Sequence, residues 1–245
     1  MAARKPIRHK RVGTSKTACS GWAMKLGALL LLALTAAAGW FWWDTQNWRP
    51  DEALFAEQGM LVGDSDGAVN FRTARALGAQ FVYLEASDGA EGQNARFANR
   101  FEAARAARMR VGAVHRFDPC VMADGQSANF VTMVPRDADL LPPVLSLDTT
   151  GASCEERVSD AAIESEVMTL VNQIENHAGQ SVILKVSPAF EEQYGLAARM
   201  DRNLWLTRTR FEPEYAGRPW LLWTANTALR SDAADEPLRW VVVRP

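Results

Sequence analysis

Leu140-Leu141-Pro142-Pro143-Val144-Leu145-Ser146-Leu147-Asp148 is an apolar run entered through a Pro-Pro corner and closed by a single carboxylate. The prolines hold the chain extended and cannot continue a helix, so the apolar residues after them read as a short buried strand. The carboxylate at its end is where such a strand gives way to a loop.

Working outward, the same alternation recurs. Arg110 to His115 is a strand preceded by a helix over Asn94 to Arg108, with Phe97, Phe101, Ala104 and Ala107 on one face. Before these come a strand at Phe81 to Glu85, a helix over Asn70 to Leu77 stopped by Gly78, and a first strand at Gly59 to Gly63. A helix around Ser127 to Val134 leads into Pro143 to Asp148. Beyond it, Ile163 to His177 carries a helical stripe (Val167, Leu170, Val171, Ile174). Val182 to Val186, Leu204 to Thr207, Trp220 to Trp223 and Trp240 to Val243 complete eight strand candidates. Strands alternating with helices imply an α/β protein, and eight imply a TIM-like (β/α) barrel with an irregular second half, where helical patterning fades. Working residues of such barrels sit at the C-terminal ends of strands. Here those ends offer Asp64, Asp66, Glu85, Asp88, His115, Asp118 and Asp148.

The 245 residues and 48% hydrophobic content suffice for one sizeable core. A net charge of −2 conceals an asymmetry: residues 1 to 25 hold seven of the 27 basic residues and no acid, leaving the remainder at −9. An uncharged run of eighteen residues follows, Leu26 to Trp43, which reaches the lower limit of a bilayer span of roughly 17 to 25 residues. Its aromatic end, Trp40 to Trp43 with Trp48, matches an interfacial belt, and the long basic segment favours an uncleaved anchor over the rival, a cleaved signal peptide.

The expected organisation is therefore a basic cytoplasmic tail (1–25), a transmembrane signal-anchor (26–43), a linker (44–56) and a barrel domain (57–245). By the positive-inside rule this is a single-pass protein of the inner membrane with its C-terminal domain periplasmic. Cys120 and Cys154 then lie in an oxidising space, where they either form a disulfide or remain two small apolar residues. No cysteine or histidine spacing signals a metal, no cofactor motif is present, and an acidic extracytoplasmic domain is no nucleic-acid binder. Nothing in the sequence sets the oligomeric state.

Several segments resemble glycoside hydrolase family 25, the lysozyme-like muramidases. Gly59-Met-Leu-Val-Gly-Asp-Ser-Asp-Gly67 is similar to the family's opening Gly-Ile-Asp-Val-Ser-x-x-Gln-Gly, and Phe81-Val-Tyr-Leu-Glu-Ala-Ser-Asp-Gly89 to its Phe-Val-x-Ile-Lys-Ala-Thr-Glu-Gly. Phe97-Ala-Asn-Arg100, Gly112-Ala-Val-His-Arg116, Leu204-Trp205 and Leu222-Trp-Thr-Ala225 follow in the family's order. The strand at Leu140 to Asp148 resembles its catalytic strand, which ends in Asp-x-Glu.

The departures fall on functional positions: Leu61 replaces an Asp, Ser146 and Asp148 stand for the Asp-x-Glu pair, and Val114 replaces a Tyr. The last strand, Arg239 to Arg244, has no counterpart of the family's Asp. The resemblance implies a muramidase-like domain acting on or binding peptidoglycan. Asp148, Glu85 and Asp88 are its catalytic candidates, and Asp64, His115, Trp205 and Trp223 its substrate-binding candidates. Losing general acid–base function costs about 100- to 10,000-fold in rate, so efficient hydrolysis is not expected. The alternative is a non-catalytic envelope protein that binds peptidoglycan or a partner.

Overall fold

The computed structural model describes residues 19–136 and 139–245, and most of the basic tail expected over 1–25 lies outside them. The chain divides into two units, one ending at Trp43 and one running from Asp44 to Pro245. The first is the body of α1 (Cys19–Asn47), whose described side chains up to Trp43 are exposed. Residues Trp22–Asn47, with mean hydropathy 1.7, have the length and composition of a membrane span, a test that a signal sequence also passes.

The second unit contains β1 (Gln58–Val62), α2 (Phe71–Ala76), β2 (Ala79–Asp88), β3 (Gly92–Gln93), α3 (Phe97–Ala106), β4 (Arg110–Arg116) and α4 (Ala123–Met133). It continues through β5 (Val144–Leu147), α5 (Asp160–Ala178), β6 (Ile183–Val186), α6 (Pro188–Tyr194), α7 (Leu196–Arg199), β7 (Leu204–Thr207), β8 (Leu222–Leu229) and β9 (Leu238–Val243). Local chemistry sets many boundaries. Asn70 caps α2 by accepting from the Arg72 and Thr73 amides, and Gly78 follows at φ 104°, a conformation costly for any residue with a Cβ. The two short helices α6 and α7 were not expected from the sequence, although Ser187-Pro188 is a helix start: Ser187 accepts from the Phe190 amide.

Eight strands close a barrel in the order β1-β9-β8-β7-β6-β5-β4-β2, with β2 returning to β1 and β3 forming a hairpin on β2. Every barrel pairing is parallel except those of β9, which is antiparallel to β1 and β8. The irregularity expected of the second half thus includes a reversal of the last strand. The chain between β8 and β9 is too short for a crossover helix, so it can only reverse.

That reversal leaves the outer face of β8 and β9 without a helix, and residues 44–57 cover it instead. Asn226 Nδ2 donates to the Thr45 and Trp48 carbonyls, the Arg230 amide to the Gln46 carbonyl, and Trp240 Nε1 to Gln58 Oε1. The Trp48 and Phe55 rings pack against Trp223 at 6.4 and 5.7 Å. The stretch expected as a linker is thus part of the barrel's wall.

Two apolar layers result. The outer one lies between strands and helices. The inner one comprises Leu61, Phe81, Tyr83, Val114, Val144, Ile183, Trp205, Leu222 and Val241, all nearly inaccessible. The barrel is consequently a filled core, each large side chain contributing roughly 1.5 to 3 kcal/mol by its burial.

Candidate functional site

Side chains alternate across a strand, so each inward row can be followed upward from the apolar inner layer. Above Tyr83 comes Glu85, above Val144 come Ser146 and Asp148, and above Ile183 comes Lys185. Val114 is followed by Arg116, and on the reversed β9 Val241 is preceded by Arg239. The rows are apolar below and charged above. The mouth of the barrel is the place where these five strands deliver their polar residues together.

The charges arrive in opposite pairs. Lys185 Nζ donates to both Asp148 carboxylate oxygens at 2.9 and 3.0 Å and to Ser146 Oγ at 3.0 Å. Ser146 Oγ in turn donates to Asp148 Oδ2 at 2.5 Å. The Lys185 side chain is only 13% exposed and that of Asp148 36%. Burial alone would raise the Asp148 pKa. The Lys185 charge, the hydrogen bonds from Ser146 and Lys185, and the Arg116 charge overcome it and leave the carboxyl below its ordinary range.

Across the mouth, Arg239 bridges two acids, with Nη1 donating to Glu85 Oε1 at 2.5 Å and Nη2 to Asp66 Oδ2 at 2.8 Å. Asp66 Oδ2 also accepts from the Gly63 amide at 2.6 Å. A Cβ on Gly63 would lie 2.2 Å from Glu85 Oε2, so a larger residue there must displace that side chain. Asp64 lies 3.7 Å from Arg96 in an exposed pair. Asp88 sits 3.3 Å from Arg116, which lowers its pKa, yet burial, the largest influence, with smaller contributions from Asp118, Glu85 and Asp148, leaves its carboxyl pushed up. A cleft of about 160 Å³ lined by Asp64, Glu85, Ser87, Asp88, Asn94 and Arg116 opens at this point. A wider surface hollow of about 770 Å³, between Ala68–Arg72 and Ser231–Asp235, holds none of these mouth acids.

Of the expected site residues, Asp64, Glu85, Asp88 and Asp148 do reach the mouth. His115 does not face it. It belongs to the outward row of β4 and is fully buried against α4, its Nδ1 2.8 Å from Ser87 Oγ and its Nε2 3.3 Å from Gln126 Oε1. Gln126 Oε1 can only accept, so Nε2 carries the proton and Nδ1 accepts from Ser87. Burial lowers the imidazole pKa to about 4, against a raising contribution from Gln126.

Trp205 and Trp223 are likewise buried and offer no face to a sugar. The Trp205 indole lies in the inner layer, donating to Thr224 Oγ1 at 2.8 Å and packing 5.1 Å from Tyr83. Trp223 lies on the outer side, donating to the Arg208 carbonyl at 2.8 Å.

The residues that sequence reasoning missed are the cations Lys185, Arg239 and Arg116. A signal existed: each sits at an inward position of an otherwise apolar strand, where an unpaired charge would be costly. The two open readings of Cys120 and Cys154 resolve into a disulfide between the loops after β4 and β5, bordering this mouth. No group of three or more His, Cys, Asp or Glu suited to a metal exists among the described residues.

Residues 62–227 match the family model described as glycosyl hydrolases family 25. Among solved structures, a family 25 glycosyl hydrolase from Bacillus anthracis superposes with a TM-score of 0.72 at 20% identity, covering 82% of this chain and 93% of that one. A bacterial lysozyme from Streptomyces coelicolor gives 0.67 at 18% identity, covering 77% and 92%. A family 25 lysozyme from Aspergillus fumigatus gives 0.64 at 18%, covering 77% and 94%. No curated protein matches this chain by sequence.

Proposed function

This chain belongs to glycosyl hydrolase family 25, and from that premise we propose that it is a membrane-anchored, extracytoplasmic domain that binds peptidoglycan without efficient hydrolysis. The observation that carries the proposal is the ionised Asp148, clamped by Lys185 and Ser146. Glycoside cleavage needs one carboxyl that holds its proton near the operating pH and a second group to stabilise the oxocarbenium-like transition state. Asp148 holds no proton at neutral pH, and Glu85 and Asp66 are both ion-paired to the one guanidinium of Arg239. Leu61 and Val114, where the resemblance calls for Asp and Tyr, add apolar filling instead of acid chemistry. Lys185, Arg116 and Arg239, placed among these acids, offset much of the negative field that a developing cation would need.

The family and its fold support a glycan as the ligand. The apolar stretch of α1, its aromatic end and a disulfide-bonded domain support anchoring outside the cytoplasm. The test is to incubate purified protein with sacculi and measure both co-sedimentation and released reducing ends. Co-sedimentation without release is expected, and the Asp148→Asn protein should behave identically. Release at lysozyme-like rates that Asp148→Asn abolishes would sink the proposal, and absence of binding would favour a partner-binding role.

One observation favours a second reading. Asp88 is the mouth carboxyl whose affinity for its proton is raised, so residual hydrolysis would run through it. Slow release abolished by Asp88→Asn but not by Asp148→Asn would identify that case.

A further inference from the structure

The apolar inner layer is open at the end of the barrel opposite the mouth. A well of about 140 Å³ enters it there, walled by Phe81, Leu141, Ile183, Leu222 and Val243. These residues lie where the parallel strands begin and the reversed β9 ends, so the well and the mouth acids occupy opposite ends of the barrel. Main-chain hydrogen bonds fix its rim. The Leu141 amide donates to the Val111 carbonyl at 2.8 Å, the Ile183 amide to the Pro143 carbonyl at 2.8 Å and the Val243 amide to the Glu57 carbonyl at 2.9 Å. Arg110 and Glu57 pair at the same rim at 2.9 Å, both half-exposed. One polar group faces this apolar space from within. Tyr83 is 2% exposed, and its hydroxyl has no hydrogen-bond partner among the described residues and is not sealed off from the well. Its ring packs 5.1 Å from Trp205 and 6.1 Å from Phe81, and lies so close to Gly112 that a Cβ there would be 2.2 Å from Tyr83 Cε1. The ring is therefore held where it is and cannot turn to a partner elsewhere. Burial pushes the phenol pKa up against the lowering charge of Arg110, so the hydroxyl stays a neutral donor.

We propose that this well binds a small uncharged molecule of about six to eight heavy atoms, an apolar body carrying one carbonyl oxygen that accepts from the Tyr83 hydroxyl. The size follows from the volume, since an apolar cavity of about 150 Å³ holds benzene. The oxygen follows from the hydroxyl: a buried donor left unpaired is costly, and a single acceptor satisfies it. Water is a poorer occupant, because against these walls it finds few of the roughly two to four partners that it needs. An ionised ligand is disfavoured by the same walls, which would strip its hydration, while Arg110 is already engaged by Glu57. The site is independent of the mouth and of whether the mouth binds or cuts glycan.

The test follows isoleucine, leucine and valine methyl groups by NMR in the full chain in lipid nanodiscs, titrated with cyclohexanone or with toluene. Protein-free nanodiscs give the share of each probe that lipid takes up. Saturable shifts confined to the well, at Ile183, Leu222 and Val243 first, are expected with both probes. Tyr83→Phe should weaken cyclohexanone roughly 2- to 10-fold, the worth of one neutral hydrogen bond, and leave toluene no weaker. Val243→Trp, which puts bulk into the well, should abolish saturation by either probe. Absence of saturable shifts, shifts spread over the surface, unchanged cyclohexanone affinity in Tyr83→Phe, or saturation surviving in a folded Val243→Trp would each overturn the proposal. Tyr83→Phe removes only an unpartnered hydroxyl and should keep the fold, which the methyl signals of Leu147 and Val186 in the outer layer report for every variant.

Discussion

The Lys185 ammonium contacts both carboxylate oxygens of Asp148, at 2.9 and 3.0 Å, where the family frame calls for an acid able to hold a proton. The carboxyl that the family resemblance implies as a catalytic candidate is thus one half of an ion pair. Lys185→Met removes the largest influence lowering the Asp148 pKa, so that carboxyl should titrate at higher pH, as read by NMR. Removing one partner of a buried pair costs about 3 to 5 kcal/mol; with Asp148 36% exposed, about 1 to 3 is expected from urea unfolding. Adding Asp148→Asn to Lys185→Met should recover part of that loss, a coupling that a double-mutant cycle reads directly.

His115 makes stability pH-dependent in a defined window. Its folded pKa of about 4 lies below the ordinary 6.5, so the unfolded chain binds the proton first. Stability from the neutral imidazole is full above pH 6.5 and declines as pH falls toward 4, with no further change below that. The loss is about 3 kcal/mol at about 1.4 kcal/mol per unit. His115→Gln should flatten this part of the profile, measured by denaturant midpoint against pH; an unchanged slope would refute the assignment.

Trp205→Phe distinguishes a core residue from a sugar platform. Losing the bond to Thr224 and part of a buried ring should cost about 1 to 3 kcal/mol, while sacculus co-sedimentation at 20 °C stays unchanged. A selective loss of binding at unaltered stability would restore the platform reading.

The Cys120–Cys154 bridge spans 34 residues of chain, for which loop-closure entropy predicts a stabilisation of about 3 to 4 kcal/mol. Cys120→Ser/Cys154→Ser should lower the thermal midpoint, and a reductant should lower it in the parent protein alone.

Gly63→Ala tests the second charge cluster. The added Cβ would displace Glu85 from Arg239, exposing one acid of the mouth and costing about 1 to 3 kcal/mol. The NMR signal of the Glu85 side chain should move, and an unchanged signal would show that the backbone yields instead.

What the sequence by itself determined was local in origin. The Pro142-Pro143 corner, the Asn70 cap, the Gly78 stop and the apolar strand rows depend on residues a few positions apart, and the barrel followed from their alternation. The same reasoning placed Asp64, Glu85, Asp88 and Asp148 at strand ends. Only the tertiary structure decided what those acids could do. Arg239 meets Glu85 across 154 residues and Lys185 meets Asp148 across 37, pairings set by barrel closure and register. The reversal of β9 is decisive, because it carries Arg239 to the mouth as the strand begins instead of leaving it at the far end. A carboxylate's chemistry depends on the charge within about 4 to 6 Å of it, and that neighbour is chosen by the fold.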